Sequence, residues 1–216
     1  MRQLIARSFI VVLSVLLVGA AAAKSQDVAL SELKPTASQK NTIRIINDVL
    51  ERYHYRRNVE LDDALARQIF DNYLDALDPH RMYLYERDVK RFERAVPRLD
   101  DNLKRGNLDL AFDVFRVFRG RVDKRVAQAL VLVDQHHDFG ARETYLFDRE
   151  EAPWAKTEAE LDEIWRKRVK NDFLGLRLTD LSDAEVREKL RKRYEGIARH
   201  YRQFDNGDVF DVLANA

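Results

Sequence analysis

The chain has no cysteine, only seven glycines and four prolines in 216 residues, and almost no surplus of either charge. The absence of thiols excludes a disulfide framework, a thiolate nucleophile and a lipid-modified N-terminal cysteine, so packing alone must stabilise the fold. The scarcity of glycine and proline excludes long low-complexity linkers. With 38 basic and 37 acidic side chains the formal charge is +1, and removing Arg2 and Arg7 leaves −1. Charges so balanced give a solvated surface, not a field that would gather nucleic acid. Familiar catalytic patterns are missing too. No glycine is followed two residues later by serine, as a nucleophile elbow requires, and there is no His-Glu-x-x-His helix or phosphate-cradling glycine loop.

What the chain does have begins with an address. Arg2 and Arg7 make a basic start, Phe9 to Val18 an apolar stretch, and Gly19 to Ala23 a small-residue exit in which Ala21 and Ala23 fit the A-x-A pattern. This predicts a signal peptide over 1–23, export, and a periplasmic location. The alternative, an uncleaved anchor, is disfavoured because the apolar stretch is about half of the roughly twenty residues a spanning helix needs.

The remainder has helical periodicity and no alternating strand pattern, which predicts an all-α, multi-helix bundle with one long central helix. Residues 24–36 read as a loose segment. A helix from Ser38 carries the stripe Ile43, Ile46, Leu50 and Tyr53. A second, from about Asp62, carries Leu65, Ile69, Tyr73 and Leu77 and stops at Asp78-Pro79, where proline removes a donor and constrains its neighbour. A third, about Leu84 to Val96, carries Tyr85, Val89 and Phe92. The longest runs from about Leu108 to Val133, with Leu108, Phe115, Phe118 and Val122 as expected core, and Gly120 suggests a close helix contact or a bend.

Residues 135–156 interrupt the periodicity, and the aromatics of Tyr145-Leu146-Phe147 and Pro153-Trp154 are expected to pin this connector to the helices. Thr157-x-x-Glu160 and Ser182-x-x-Glu185 are capping-box starts for two further helices, and Asp208 opens a last apolar turn. That final turn, Val209 to Leu213, reads as an open apolar end prone to self-association. The region 37–216 is thus one helical domain, or two sub-bundles (37–134 and 157–216) joined by 135–156.

Each polar cluster has a structural reading that outweighs a chemical one. His136-His137-Asp138 is a solvated helix end, since adjacent side chains diverge and rarely share a metal. Asp100-Asp101 and Glu150-Glu151 read as cap or surface charge, and Lys189 to Arg193 as a solvated face. Beyond the leader the only serines are Ser25, Ser31 and Ser38, in or beside the loose segment, and Ser182, a cap. Trp154, Trp165, Tyr194 and Tyr201 occupy core-like positions. No catalytic, cofactor-binding or metal-binding residue is assigned, and no nucleic-acid partner or mature membrane span is expected.

Several stretches are familiar: Phe70-Asp71-x-Tyr73-Leu74-x-x-Leu77-Asp78, Tyr145 to Arg149, Ala152-Pro153-Trp154, Glu158-Ala159-Glu160-Leu161, Ile164-Trp165 and Asp208-Val209-Phe210. Together they resemble the N-terminal domain of the tail-specific, or carboxy-terminal processing, proteases. The resemblance implies a helical domain preceding a PDZ-type domain and a serine peptidase platform, whose Ser–Lys dyad acts on polypeptide C-termini in the periplasm. The sequence stops at Ala216, and no position matches that serine or lysine, so the chain is expected to be inactive alone. Its expected role is scaffolding and docking of polypeptide substrates or an adaptor, with the PDZ and protease parts in cis or from a neighbouring gene. The alternative is a free-standing periplasmic interaction or chaperone-like protein.

Overall fold

Among the described residues eight α-helices set the architecture, several of them opened by side-chain caps. The structure, a computed structural model, describes residues 26–53 and 60–216. The expected leader at 1–23, with Ser25, lies outside the described residues. Helix α1 spans Ala37–Tyr53 and is opened reciprocally by Thr36 and Gln39: the threonine hydroxyl accepts the Gln39 N–H, and the Gln39 amide oxygen accepts the Thr36 N–H. Asp62 caps α2, Asp63–Leu77, by accepting the Leu65 N–H at 2.8 Å. Then come α3, Glu86–Glu93, and α4, Leu99–Lys104, separated by a 3-10 turn at Val96–Arg98. The long α5 covers Asp109–Asp134, α6 Glu158–Arg177, α7 Asp183–Arg202 and α8 Asn206–Ala214. Among the described residues there is no strand, only an isolated parallel bridge between Tyr85 and Ala155, so the all-α reading holds.

Helix α5 is the axis. It packs on α6, α7, α8 and α3, and the expected core positions Leu108, Phe115, Phe118 and Val122 are all buried along it. At about 1.5 Å per residue its 26 residues make a strut of about 39 Å. The buried side chains form one cluster from Leu33 to Leu213, so 37–134 and 157–216 share apolar contacts.

Several elements depart from the sequence reading. The third helix ends at Glu93, because Pro97 starts a tighter turn, and α4 has too few apolar residues, Leu99 and Leu103, to show a period. On α1 only Ile43 of the expected stripe is buried, Ile46 is partly covered, and Leu50 is exposed; the Tyr53 side chain lies outside the described residues. Residues 26–36, read as loose, are strapped down. The Val28 N–H reaches the Arg202 carbonyl, Arg119 and Arg116 donate to the carbonyls of Val28 and Leu33, and Leu33 is fully buried. The final turn is not an open apolar end: Val209, Phe210 and Leu213 are buried where α8 folds back on α2 and α5. Gly120 meets nothing within 4 Å of a Cβ position, so it marks no close helix contact.

Candidate functional site at the Asp78 turn and the connector

Asp78 ends α2 and then organises the chain that follows. Its carboxylate is buried and accepts the backbone N–H groups of Met82, Tyr83 and Leu84 at 2.7, 2.9 and 2.9 Å. Burial pushes this carboxyl upward from its ordinary range, and the three N–H donors oppose that shift. The turn so formed places Arg81 at a φ of 52° and aims consecutive groups at different neighbours. The Met82 carbonyl takes the indole N–H of Trp165 at 2.6 Å. The Tyr83 ring contacts Phe118 edge-on and Trp165 at a tilt, and burial pushes its phenol up to about 12.

Tyr85, next along, is fully buried under arginines. Arg87 and Arg121 lie 4.3 and 4.8 Å from its ring centroid, and its hydroxyl accepts from Arg125. Arg121 grips Asp88 through two bonds of 2.9 and 2.8 Å, while the buried Arg125 also donates to Gln128 and Asp162. Of these hydrogen-bonded pairs only Arg125 and Gln128 are neighbours within one turn; the other partners are brought together by the fold, and nothing in the sequence pattern pairs residues of α3, α5 and α6.

The connector closes over this turn. The Ala155 carbonyl accepts the Glu86 N–H at 3.0 Å, Arg81 donates to the Ala152 carbonyl, and the Arg81 guanidinium sits 5.3 Å from the Trp154 ring. Farther back, Arg166 donates to Glu143 at 2.7 Å, and Phe139 packs on Phe173. The expected pinning is therefore selective. Phe139 and Trp154 are partly buried and Tyr145 is half-buried, but Leu146 and Phe147 are exposed by 56% and 78%.

Other residues singled out in the sequence fall elsewhere. His136 is exposed, whereas His137 is buried against Phe139 and Phe173, which pushes its imidazolium downward in pKa. Asp138 turns away to accept the Gly140 N–H. Asp101 pairs with Arg105, and Glu150 and Glu151 are exposed. The basic run is largely neutralised: Arg191 pairs with Asp134, Lys192 with Glu188 and Arg193 with Asp172, while Leu190 is buried. Ser31 and Ser38 are exposed, and Ser182 forms the full capping box with Glu185. Thr157 caps the Glu160 N–H, but the Glu160 carboxylate bonds Lys156 instead. Trp165 and Tyr194 are buried and Tyr201 is half-buried. Among the described residues, His80, Asp148 and Glu150 come within ligand-like spacing of one another, all exposed. Their separation along the chain hides that grouping from any local motif search.

The geometry is that of a clamp: it fixes a turn, a connector and three helices, and it presents Trp154 and the Leu146-Phe147 pair outward. Three of the stretches that carried the resemblance meet here, through Asp78, through Ala152 and Trp154, and through Trp165. A family model described as "Tail specific protease N-terminal domain" matches residues 46–216. The tail-specific protease of Haemophilus influenzae is similar, 33% identical over 189 residues, which cover 87% of this chain and 26% of the relative. The chain thus spans about a quarter of that relative's length. With a family match running from within α1 to the last residue, the chain belongs to the tail-specific protease N-terminal domain family.

Proposed function

We propose that this chain serves as the non-catalytic helical domain of a periplasmic tail-specific protease, holding polypeptide substrate or an adaptor for a Ser–Lys peptidase. The PDZ and peptidase parts would be supplied in the same polypeptide or by a neighbouring gene. The observation that carries this reading is the family match over 46–216, joined to the chain's quarter share of a named tail-specific protease. The physical build supports it. A helical strut braced along its length holds surface features at fixed distances, and the connector offers exposed apolar side chains to a polypeptide. The signal-like residues 1–23 support export.

The test is to mix purified chain with an unstructured labelled polypeptide such as casein. Saturable binding without cleavage is expected. Cleavage that a serine-directed inhibitor abolishes would overturn the non-catalytic role, and absence of binding would overturn the docking role.

A further inference from the structure

Beside the clamp lies a cleft of about 550 Å³ between α2, α3 and the connector. Leu74, Val89 and Trp154 supply its apolar lining, and its rim is charged. The cations of the rim are already engaged. Arg67 pairs with Asp71 at 2.9 Å and Glu93 at 3.0 Å, Lys90 pairs with Glu86 at 2.5 Å, and Arg81 is held by the Ala152 carbonyl and the Trp154 ring. Two lining carboxylates, Asp75 and Glu151, are exposed and have no cation or hydrogen-bond donor among the described residues. Chain neighbours extend the same sign: Glu150 and Asp148 stand exposed beside His80, next to the Glu151 and Arg81 end of the cleft.

An anionic ligand would find Arg67 and Lys90 held in ion pairs and Arg81 held by the Ala152 carbonyl and the Trp154 ring. A cationic one would find acceptors waiting, and the half-buried Trp154 indole offers a surface on which an aliphatic side chain loses water. We propose that this cleft binds an extended polypeptide segment carrying lysine or arginine beside an aliphatic residue. Asp75 and Glu151 take the cation, and Trp154 with Leu74 takes the aliphatic side chain. The inference rests on the docking reading above and narrows it to a substrate chemistry and a place.

The experiment uses the whole chain, in the presence of EDTA so that no metal bridges His80, Asp148 and Glu150. Three short fluorescein-labelled peptides are titrated by anisotropy: alternating Lys and Leu, alternating Glu and Leu, and alternating Ser and Leu. Intrinsic tryptophan emission is followed with unlabelled peptides, because Trp165 is sealed in the core and Trp154 is the indole open to a ligand. The Lys/Leu peptide should bind saturably, about tenfold or more tighter than the Glu/Leu peptide, shift the emission, and weaken as salt screens exposed charges. The double variant Asp75→Asn with Glu151→Gln should lose about fivefold or more of that affinity at an unchanged melting temperature. Equal binding of all three peptides, or full affinity in the double variant, would overturn the cleft assignment and leave docking standing. Failure of the Lys/Leu peptide while casein still binds would do the same. Failure of peptides and casein together would remove both.

Discussion

Trp165 donates its indole N–H to the Met82 carbonyl at 2.6 Å, joining positions 83 residues apart inside the core. Both residues are buried, Trp165 completely. Trp165→Phe keeps an aromatic body but strips the Met82 carbonyl of this donor, and should cost about 1–3 kcal/mol. Trp165→Ala adds a cavity beside Tyr83 and Tyr194 and should cost about 3–5 kcal/mol. Urea unfolding of the two variants separates the terms. Indistinguishable midpoints for Trp165→Phe and the parent would show that the hydrogen bond adds nothing.

The helices that were legible in the sequence are those with strong local signals. Phe115, Phe118 and Val122 repeat at helical spacing over many turns, and Ser182-x-x-Glu185 announces its helix before any tertiary contact exists. What stayed hidden is non-local. The Asp78 carboxylate looked like a helix stop, and its grip on Met82, Tyr83 and Leu84 follows from a fold-imposed turn. Arg81 meeting Trp154, and His80 meeting Asp148, pair side chains that only tertiary folding brings together. Leu33 reads as part of a loose segment because one buried leucine carries no period.

Asp78→Ala should release the connector. Three backbone N–H groups would lose their acceptor in a buried setting, a loss of about 3 kcal/mol or more. The turn that holds Arg81 against the Ala152 carbonyl would loosen with it. Limited trypsin digestion should then cut early at Arg142 or Arg149, ahead of sites within α5. Unchanged cleavage order would show that the connector is held by Phe139 and Ala155 without help from the turn.

His137 should make stability depend on pH. Its ring packs on Phe139 and Phe173, with Arg187, Lys170 and His136 nearby, and burial is the largest cause of its lowered pKa, against a backbone bond to Leu132. A histidine depressed in the folded state binds fewer protons than the unfolded chain below its ordinary value of 6.5, so stability falls as pH drops through that region. Unfolding midpoints should decline between about pH 7 and pH 5. His137→Phe, which keeps an aromatic without a titrating nitrogen, should flatten part of that decline. An identical pH profile in the variant would assign the effect to other groups.

Two glycines should respond to alanine with opposite signs. Gly106 sits at a φ of 76° where α4 meets α1, and a Cβ there would lie 2.5 Å from the Lys40 carbonyl oxygen and 2.7 Å from the Arg44 Nε. Arg44 donates twice to the Arg105 carbonyl at the same junction, so the backbone cannot shift without opening those bonds. Gly106→Ala therefore adds about 1–2 kcal/mol of left-handed strain to a steric clash. Gly120 lies in the helical run of α5 with open space around its Cβ position, so alanine there only removes backbone freedom from the unfolded chain and should gain about 0.5–1 kcal/mol. Thermal melts of both variants beside the parent decide the matter. A neutral Gly106→Ala would mean that α1 yields at this contact, and a destabilising Gly120→Ala would mean that something covers the outer face of α5.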